Sequence, residues 1–202
     1  MLKYGLTGGI ASGKTTVAAM LREHGFPVLE ADKISHALIE KGGGAYDDVV
    51  ARFGRAILDG NGRIDRGRLG AIVFADRQKL DQLNAILHPR VEVEVLKQLE
   101  ELEKSRLYPV AFLEAALIFE AGLQQRLNGV VVAWCLPEQQ LARLTERGMN
   151  EGEARQRIEM QMPVQEKLAL AAEKIDCSGS KEETRRQVEA LAARLGTASR
   201  SN

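Results

Sequence analysis

The sequence lacks net charge, long apolar runs and all but two cysteines. Its 28 basic residues balance 28 acidic residues, so no global field points to a nucleic acid or an anionic membrane as a partner. The apolar runs are much shorter than the roughly 20 residues of a membrane helix, and the N-terminus enters a predicted strand instead of a signal peptide. We therefore expect a cytoplasmic protein with no nucleic-acid and no membrane partner, in which local basic groups hold any anionic substrate.

The two cysteines, Cys135 and Cys177, are far apart and do not have the spacing of metal ligands. Reduced structural thiols are the favoured interpretation. Internal repeats and low-complexity tracts are also missing. The composition, 45% hydrophobic and 28% charged, suits a single compact domain over residues 1–202. We expect only the tail from Gly196 to Asn202 to fray.

A glycine-rich loop lies between a predicted strand and a predicted helix. Residues 8–15, Gly-Gly-Ile-Ala-Ser-Gly-Lys-Thr, match the phosphate-binding P-loop pattern G-x-x-x-x-G-K-[ST]. An apolar strand over Leu2–Thr7 precedes the loop, and a helix over Thr15–His24 follows it, in the order that a P-loop requires. The alternative is a glycine-rich turn that binds nothing. The correct flanks favour nucleotide binding.

Each residue type in the loop has a chemical reason. The glycines at 8, 9 and 13 let backbone N–H groups approach phosphate oxygens at the N-terminus of a helix. Lys14 would place a positive charge between the β- and γ-phosphates, and the Thr15 hydroxyl would be a ligand of Mg²⁺. The predicted nucleotide-binding residues are Gly8, Gly9, Ile10, Ala11, Ser12, Gly13, Lys14, Thr15 and Thr16.

Predicted strands alternate with helices along the rest of the chain. After Leu2–Thr7, the strands are a short one before Asp32, then Tyr108–Glu114, Gly129–Leu136 and Lys174–Cys177. This order predicts the α/β class, with a parallel sheet of about five strands flanked by helices on both sides. A final amphipathic helix is expected over Lys181–Leu195.

Two helical regions interrupt this alternation. Residues 45–108 are mostly helical and contain a tight turn or hairpin at Asp59-Gly60-Asn61-Gly62. In the segment Pro89–Lys104, strand-like and helical spacings overlap, but Pro89 at a first-turn position favours a helix. Residues 137–163 form helices on either side of Gly148. We expect these regions above the carboxyl edge of the sheet, as an acceptor clamp (about 33–108) and a lid (about 137–163).

Two acidic residues follow strands at that edge. Asp32 comes after the second strand, where open α/β sheets bind ligands, and it is the best candidate for the group that orients an acceptor hydroxyl and accepts its proton. A helix N-cap before Lys33 is the alternative, and the two roles are compatible. Glu114 ends the third strand, where it would serve Mg²⁺ through water or simply be a solvated carboxylate.

Among the many classes of protein that contain a P-loop, the arginines in the predicted lid favour a kinase. Arg143 and Arg147 lie four apart on one helix face, and Arg155 and Arg157 follow the Gly148 break. A solvated basic face would also explain them, and Arg155 could pair with Glu151. Beside a P-loop, however, such a helical hairpin resembles a nucleotide-kinase lid, whose arginines neutralise the transferring phosphoryl group.

Taken in order, the motifs resemble those of the dephospho-CoA kinase family over nearly the whole chain, to about Leu195. The Leu-His-Pro segment and the arginine-bearing lid are more specific than the P-loop. The matching segments are the P-loop, Glu30-Ala31-Asp32, Leu83-Asn84-Ala85-Ile86-Leu87-His88-Pro89, Leu117-Ile118-Phe119-Glu120, residues 140–147, residues 154–158 with Gln161, and residues 175–180.

The resemblance implies a P-loop kinase fold and a specific reaction. The family transfers the γ-phosphoryl group of ATP to the 3′-hydroxyl of the ribose in dephospho-coenzyme A, the last step of coenzyme A synthesis. The implied partners are ATP and dephospho-CoA, the implied cofactor is Mg²⁺, and we expect a monomer or a weak homo-oligomer. The implied catalytic residues are Asp32, Lys14 and Arg143. Nucleotide binding is implied for the P-loop together with Arg143 and Cys177, and metal binding for Thr15. The implied acceptor-binding residues are Asp32, His88, Pro89, Glu114 and Leu117.

The chain departs from the family pattern at three positions. Glu30 stands where aspartate is usual, Ala116 where proline is usual, and Cys177 where asparagine is usual, near the expected adenine pocket. None of these changes removes a group that the transfer requires. A nucleoside monophosphate or other metabolite kinase remains an alternative. A GTP-dependent switch would need a guanine-reading Asn-Lys-x-Asp segment, which the sequence lacks, and a pure coenzyme-binding protein would need no lid.

Overall fold

The computed structural model describes residues 1–198, in which strands and helices alternate. The strands are β1 Leu2–Thr7, β2 Val28–Glu30, β3 Val110–Glu114, β4 Gly129–Trp134 and β5 Glu173–Asp176. The helices are α1 Lys14–Glu23, α2 Ala31–Ile39, α3 Tyr46–Phe53, α4 Arg66–Phe74, α5 Arg77–Ser105, α6 Pro137–Glu146, α7 Glu151–Glu159, α8 Val164–Leu170 and α9 Lys181–Ala198.

Apart from α5, the ends of the predicted strands and helices lie within a few residues of the observed ones. None of the helices in this described part of the chain is long and apolar enough to cross a membrane. Helix α9 continues to Ala198, so the first part of the tail that was expected to fray is helical. Residues 199–202 of that tail lie outside the described residues.

The strands form one parallel sheet in the order β2-β3-β1-β4-β5. Leu6 of β1 pairs with Glu114 of β3 on one side and with Val131 of β4 on the other. The chain leaves β1 toward one edge of the sheet and later crosses to the other edge, so the carboxyl end of β1 is a topological switch point. The predicted five-stranded parallel sheet is confirmed, and its switch point lies where the glycine-rich loop begins.

One face of the sheet is covered by α1 and α9. Phe112 of β3 is fully buried, and its ring lies 6.0 Å from that of Tyr4 and 5.6 Å from that of Phe26. Alternate strand residues share a face of a sheet, which explains why the same cluster takes every second residue of the strands. Its members include Leu6, Val110, Phe112, Val131, Ala133 and Ile175 from strands, and Val17, Leu21, Val188 and Leu191 from helices.

The chain divides into two compact units. The first comprises residues 1–29 and the chain from Leu99 onward, and the second comprises Glu30–Gln98. The second unit has its own apolar cluster, which includes Ile39, Val49, Ile57, Leu69, Val73, Leu83 and Leu87. Within it, Leu58 and Ile64 form an antiparallel bridge, and the Asp59 N–H donates to the Arg63 carbonyl (2.8 Å). The hairpin predicted there is therefore confirmed.

Helix α5 differs from the sequence-based prediction. The helical character of the segment after Pro89 is confirmed, but the helix begins at Arg77 and Pro89 lies inside it, so the predicted first-turn position of Pro89 was wrong. Proline has no N–H and cannot donate to the carbonyl of Ala85, four residues earlier. Leu83 and Leu87, in the turns just before the proline, are both buried, and their packing stabilises the helix despite the lost hydrogen bond.

Candidate active site

The glycine-rich loop lies against the carboxyl ends of β4 and β5. Gly8 has φ +154°, and a Cβ there would lie 2.0 Å from the Ala133 carbonyl oxygen of β4. Gly13 has φ +109°, and a Cβ there would lie 2.9 Å from Sγ of Cys177. Both positions therefore require glycine. The close approach fixes the loop between β1 and α1 with its backbone next to the sheet.

Lys14 begins α1 and bends back over the loop. Its Nζ donates to the carbonyl oxygens of Gly8 (3.2 Å) and Gly9 (2.9 Å). The first turn of α1 carries no acidic residue of its own, and the partial positive charge of the helix N-terminus favours an anion there. A lysine ammonium group and a helix N-terminus at one loop are groups that can hold a phosphate chain.

Thr15 and Glu114 lie together beside this loop. The Thr15 Oγ1 donates to Oε1 of Glu114 over 3.5 Å, because β1 and β3 are neighbours and Glu114 is at the carboxyl end of β3. A hydroxyl and a carboxylate are the hard oxygen donors that Mg²⁺ prefers. Within residues 1–198, no three His, Cys, Asp or Glu side chains are placed to hold a metal ion. This sparse donor set fits Mg²⁺, which usually takes one or two carboxylates and completes its shell with substrate phosphates and water.

Arg143 of α6 connects the glycine-rich loop to the segment after β5. Its Nη1 donates to the Ala11 carbonyl (3.1 Å) and its Nη2 to the Cys177 carbonyl (2.8 Å). Cys177 is buried, and this burial raises the pKa of its thiol to about 11. The thiol is therefore neutral at physiological pH. The structure thus brings Arg143 and Cys177 together with the loop.

The remaining lid arginines make different contacts. Arg147 is exposed at the C-cap of α6. The pair considered for Arg155 is confirmed, since its Nη2 donates to Oε1 of Glu151 (2.7 Å). Arg157 pairs in the same way with Glu153 (2.7 Å). On α7 the basic side chains therefore lie in intrahelical ion pairs.

The second unit contains three of the predicted acceptor residues. Asp32 is exposed in the first turn of α2. Its alternative role as N-cap was wrong, because α2 begins at Ala31 and the N-cap position is Glu30, which makes no capping hydrogen bond. His88 and Pro89 are exposed on α5. In the first unit, the other two predicted residues differ in placement: Glu114 lies beside Thr15, and Leu117 is half-buried in the turn after β3. That these five residues form one acceptor site stays a prediction.

Two glutamines of the matching segments, for which the sequence predicted no individual role, hold the loop. Gln140 of α6 is 5% exposed, and its Nε2 donates to the Ile10 carbonyl (2.8 Å). Gln161, between α7 and α8, accepts a hydrogen bond from the Ile10 N–H (2.7 Å). Gln140 lies four residues before the buried Leu144, so it occupies the apolar stripe of α6. A glutamine in the apolar stripe of a helix was the sequence signal for a buried polar contact at this position.

A buried lysine, also missed, holds the turn after β3. The Lys167 side chain is fully buried, and its Nζ donates to the Ala116 carbonyl (2.9 Å) and pairs with Oε1 of Glu120 (2.8 Å). The Thr7 hydroxyl donates to the same carbonyl (3.0 Å). This turn also carries Leu117. Its position is therefore fixed from β1 on one side and from α8 on the other.

The chain is similar to known proteins over most of its length. A family model described as dephospho-CoA kinase matches residues 2–183. A dephospho-CoA kinase of Geobacillus kaustophilus is 47% identical over 191 residues, which cover 94% of each chain. Two solved structures are also similar. The crystal structure of a Thermus thermophilus protein has a TM-score of 0.79 and 33% identity, covering 96% of this chain and 97% of the other. A dephospho-CoA kinase from Campylobacter jejuni has a TM-score of 0.73 and 27% identity, covering 97% and 98%.

Proposed function

The chain belongs to the dephospho-CoA kinase family, and from this premise we propose which residues carry out its reaction. The enzyme transfers the γ-phosphoryl group of ATP to the 3′-hydroxyl of the ribose in dephospho-coenzyme A. The products are coenzyme A and ADP. A new bond forms between the 3′-oxygen and the γ-phosphorus, the bond from that phosphorus to the bridging oxygen of ADP breaks, and the hydroxyl loses its proton.

The glycine-rich loop binds the donor. Its backbone N–H groups and the N-terminus of α1 hold the phosphates, and Lys14 contributes the positive charge that the β- and γ-phosphates need. Supporting this role, the Lys14 ammonium group lies within 2.9 Å of the loop backbone at Gly9. Arg143 adds a second cation, which is fixed to the loop through the Ala11 carbonyl. The arrangement concentrates positive charge where negative charge spreads in the transition state.

Asp32 is the proposed general base. Its exposed carboxylate in the first turn of α2 accepts the proton of the 3′-hydroxyl and orients that oxygen toward the γ-phosphorus. We assign His88, Pro89, Glu114 and Leu117 to acceptor binding. We also propose that residues 33–108 act as the acceptor clamp and residues 137–163 as the lid of a single kinase domain over residues 1–202.

Thr15 is the proposed ligand of Mg²⁺, which Glu114 would hold through water. The contact between the Thr15 hydroxyl and the Glu114 carboxylate supports this pairing. When bound with ATP, the ion neutralises charge on the β- and γ-phosphates. The protein contributes only the donor oxygens and their placement at the head of α1.

We also propose a cytoplasmic location and a monomeric or weakly associating state. The two buried thiols, Cys135 and Cys177, are unpaired, as is usual in a reducing compartment. Light scattering after size-exclusion chromatography at the assay concentration tests the oligomeric state.

The single observation that supports this assignment best is the P-loop, fixed between β1 and α1 with Lys14, Thr15, Glu114 and Arg143 around it. The test is an assay with ATP, Mg²⁺ and dephospho-CoA, with coenzyme A quantified by mass spectrometry. A matched acceptor that lacks the 3′-hydroxyl should give no product. Preference for a nucleoside monophosphate acceptor would overturn the assignment of the acceptor residues, and guanine-selective binding without transfer would overturn the assignment of the donor site.

A further inference from the structure

Both backbone groups of Ile10, in the middle of the glycine-rich loop, are bonded to glutamine side chains from two different segments. The Ile10 N–H donates to Oε1 of Gln161 (2.7 Å), and the Ile10 carbonyl accepts from Nε2 of Gln140 (2.8 Å). Gln140 belongs to α6, whereas Gln161 lies in the linker between α7 and α8. Two parts of the predicted lid therefore hold a single residue of the loop.

The next residue, Ala11, has a backbone conformation that needs support. Its φ is +57°, which costs a residue with a Cβ roughly 1 kcal/mol or more. The carbonyls on both sides of its Cα are bonded by side chains of α6: Gln140 holds that of Ile10, and Arg143 holds that of Ala11 (3.1 Å). These bonds keep Ala11 in the left-handed region.

The same bonds decide where the Ala11 N–H points. The peptide between Ile10 and Ala11 is trans, so its N–H is directed opposite to its carbonyl. Since Gln140 of α6 holds the carbonyl, the Ala11 N–H points away from α6. A flip of this peptide would turn the carbonyl oxygen in that direction and leave no N–H donor there.

We propose that Gln140 and Gln161 are positioning residues that fix the Ile10–Ala11 peptide so that the Ala11 N–H can donate to the phosphates of ATP. This inference rests on the proposed function, because it takes the loop to be the ATP site. The two glutamines act through the loop backbone and do not take part in the transfer. Loss of either one weakens ATP binding without affecting the binding of dephospho-CoA.

Gly9 provides an independent way to displace Gln140. A Cβ on Gly9 would lie 2.3 Å from Nε2 of Gln140, so Gly9→Ala pushes the amide away from the Ile10 carbonyl. The displaced atom is the end of a flexible side chain, so the fold can adapt. We expect Gly9→Ala to weaken ATP binding in the same way as Gln140→Met does.

The test is titration calorimetry with ATP, together with the KM for each substrate. Gln140→Met keeps the length of the side chain but removes its N–H donor. We expect it to raise the Kd for ATP by about five- to thirtyfold, since losing the hydrogen-bond partner of this partly buried carbonyl costs about 1–2 kcal/mol. The KM for dephospho-CoA should stay within about twofold of the wild-type value. Gln161→Met, at a less buried position, should act in the same direction.

Gln139→Met is the matched control. Gln139 is the neighbour of Gln140 on α6, but its Nε2 donates to the Ser178 carbonyl (2.7 Å) and not to the loop. This variant should lower the thermal stability while leaving the Kd for ATP unchanged. In the Gln140→Met background, Ala11→Gly should recover part of the ATP affinity, because glycine adopts positive φ without a penalty.

Three results would overturn the proposal while leaving the proposed function intact. The first is wild-type ATP affinity in both Gln140→Met and Gln161→Met. The second is a loss of ATP affinity in Gln139→Met equal to that in Gln140→Met. The third is no recovery of ATP affinity when Ala11→Gly is added to Gln140→Met. If the wild-type protein itself fails to bind ATP, the proposed function fails instead. Circular dichroism of each variant shows whether it is folded, and Gln161→Met still tests the proposal if Gln140→Met does not fold.

Discussion

Lys167 and Glu120 form an ion pair in which the lysine side chain is completely buried and the glutamate side chain is 24% exposed, with Nζ 2.8 Å from Oε1. The same carboxylate oxygen accepts a hydrogen bond from the N–H of Met162 (3.1 Å). The pair thus connects the turn after β3 to the last turn of α8 and to the linker before that helix. A charge placed inside the protein depends on its partner far more than a charge at the surface does.

Removing the charge of Glu120 and removing that of Lys167 should lower the free energy of unfolding by different amounts. Glu120→Gln leaves the buried ammonium of Lys167 without a counter-charge and should lower the free energy of unfolding by about 3–5 kcal/mol. Lys167→Met leaves only a partly exposed carboxylate, which water can reach, so it should cost less. Urea denaturation measures both changes. The exposed pair of Arg155 and Glu151 is the control, where Glu151→Gln should cost less than about 1 kcal/mol. Equal small losses in Glu120→Gln and Glu151→Gln would contradict this prediction.

Asp32→Asn should abolish most of the transfer activity. The amide cannot accept the proton of the 3′-hydroxyl, and loss of a general base lowers kcat by roughly 10²–10⁴-fold. Steady-state kinetics with both substrates measures this, and the KM for ATP should change little. Asp47→Asn, in the first turn of α3, is the matched control and should leave kcat unchanged. Normal turnover by the Asp32→Asn protein would rule out its role as the base.

Lys14→Ala should impair both ATP binding and turnover. The ammonium group stabilises charge on the transferring phosphoryl group, and removing one such group costs about 10²–10³-fold in kcat. Lys174 on β5 is exposed, and Lys174→Ala serves as the control for the loss of one positive charge. The measurements are kcat and the Kd for ATP. If Lys14→Ala and Lys174→Ala changed kcat and the Kd for ATP equally, the assignment of Lys14 would be wrong.

Thr15→Val and Glu114→Gln should both raise the Mg²⁺ concentration needed for half-maximal activity. Valine keeps the shape of threonine but lacks the oxygen donor, and glutamine removes the negative charge that Mg²⁺ prefers. Thr145→Val is the control, because the Thr145 hydroxyl bonds to carbonyls of its own helix α6. A Mg²⁺ titration of activity at saturating ATP makes the comparison. Unchanged Mg²⁺ dependence in both variants would contradict the metal assignment.

The Cys177 thiol should make stability depend on pH in the alkaline range. Burial raises its pKa from the ordinary 9.0 to about 11, so the folded state binds this proton more tightly than the unfolded state does. Its contribution to stability is complete below pH 9 and is lost as the pH rises toward 11. The free energy of unfolding of Cys177→Ala should therefore fall less than that of the wild type between pH 9 and 11, by about 1–2 kcal/mol. The raised pKa would be contradicted if the free energy of unfolding changed equally with pH in Cys177→Ala and in the wild type.

Several features could be predicted from the sequence because they depend on neighbouring residues. The P-loop signal lies in eight consecutive residues, and the burial of β4 follows from its continuous apolar run. The first residue of helix α5 could not be predicted in the same way. Local rules place Pro89 near the start of a helix, whereas buried contacts of Leu83 and Leu87 sustain a helix that begins at Arg77.

The sequence by itself determined the donor loop, the order of strands and helices, and the family to which the chain belongs. Those signals are local patterns or ordered motifs, so they do not need the fold. Only the tertiary structure decided that Gln140 and Gln161 hold Ile10 and that Lys167 pairs with Glu120. Such contacts join residues far apart in the chain, and a polar side chain at an apolar position does not reveal its partner until packing brings the two together.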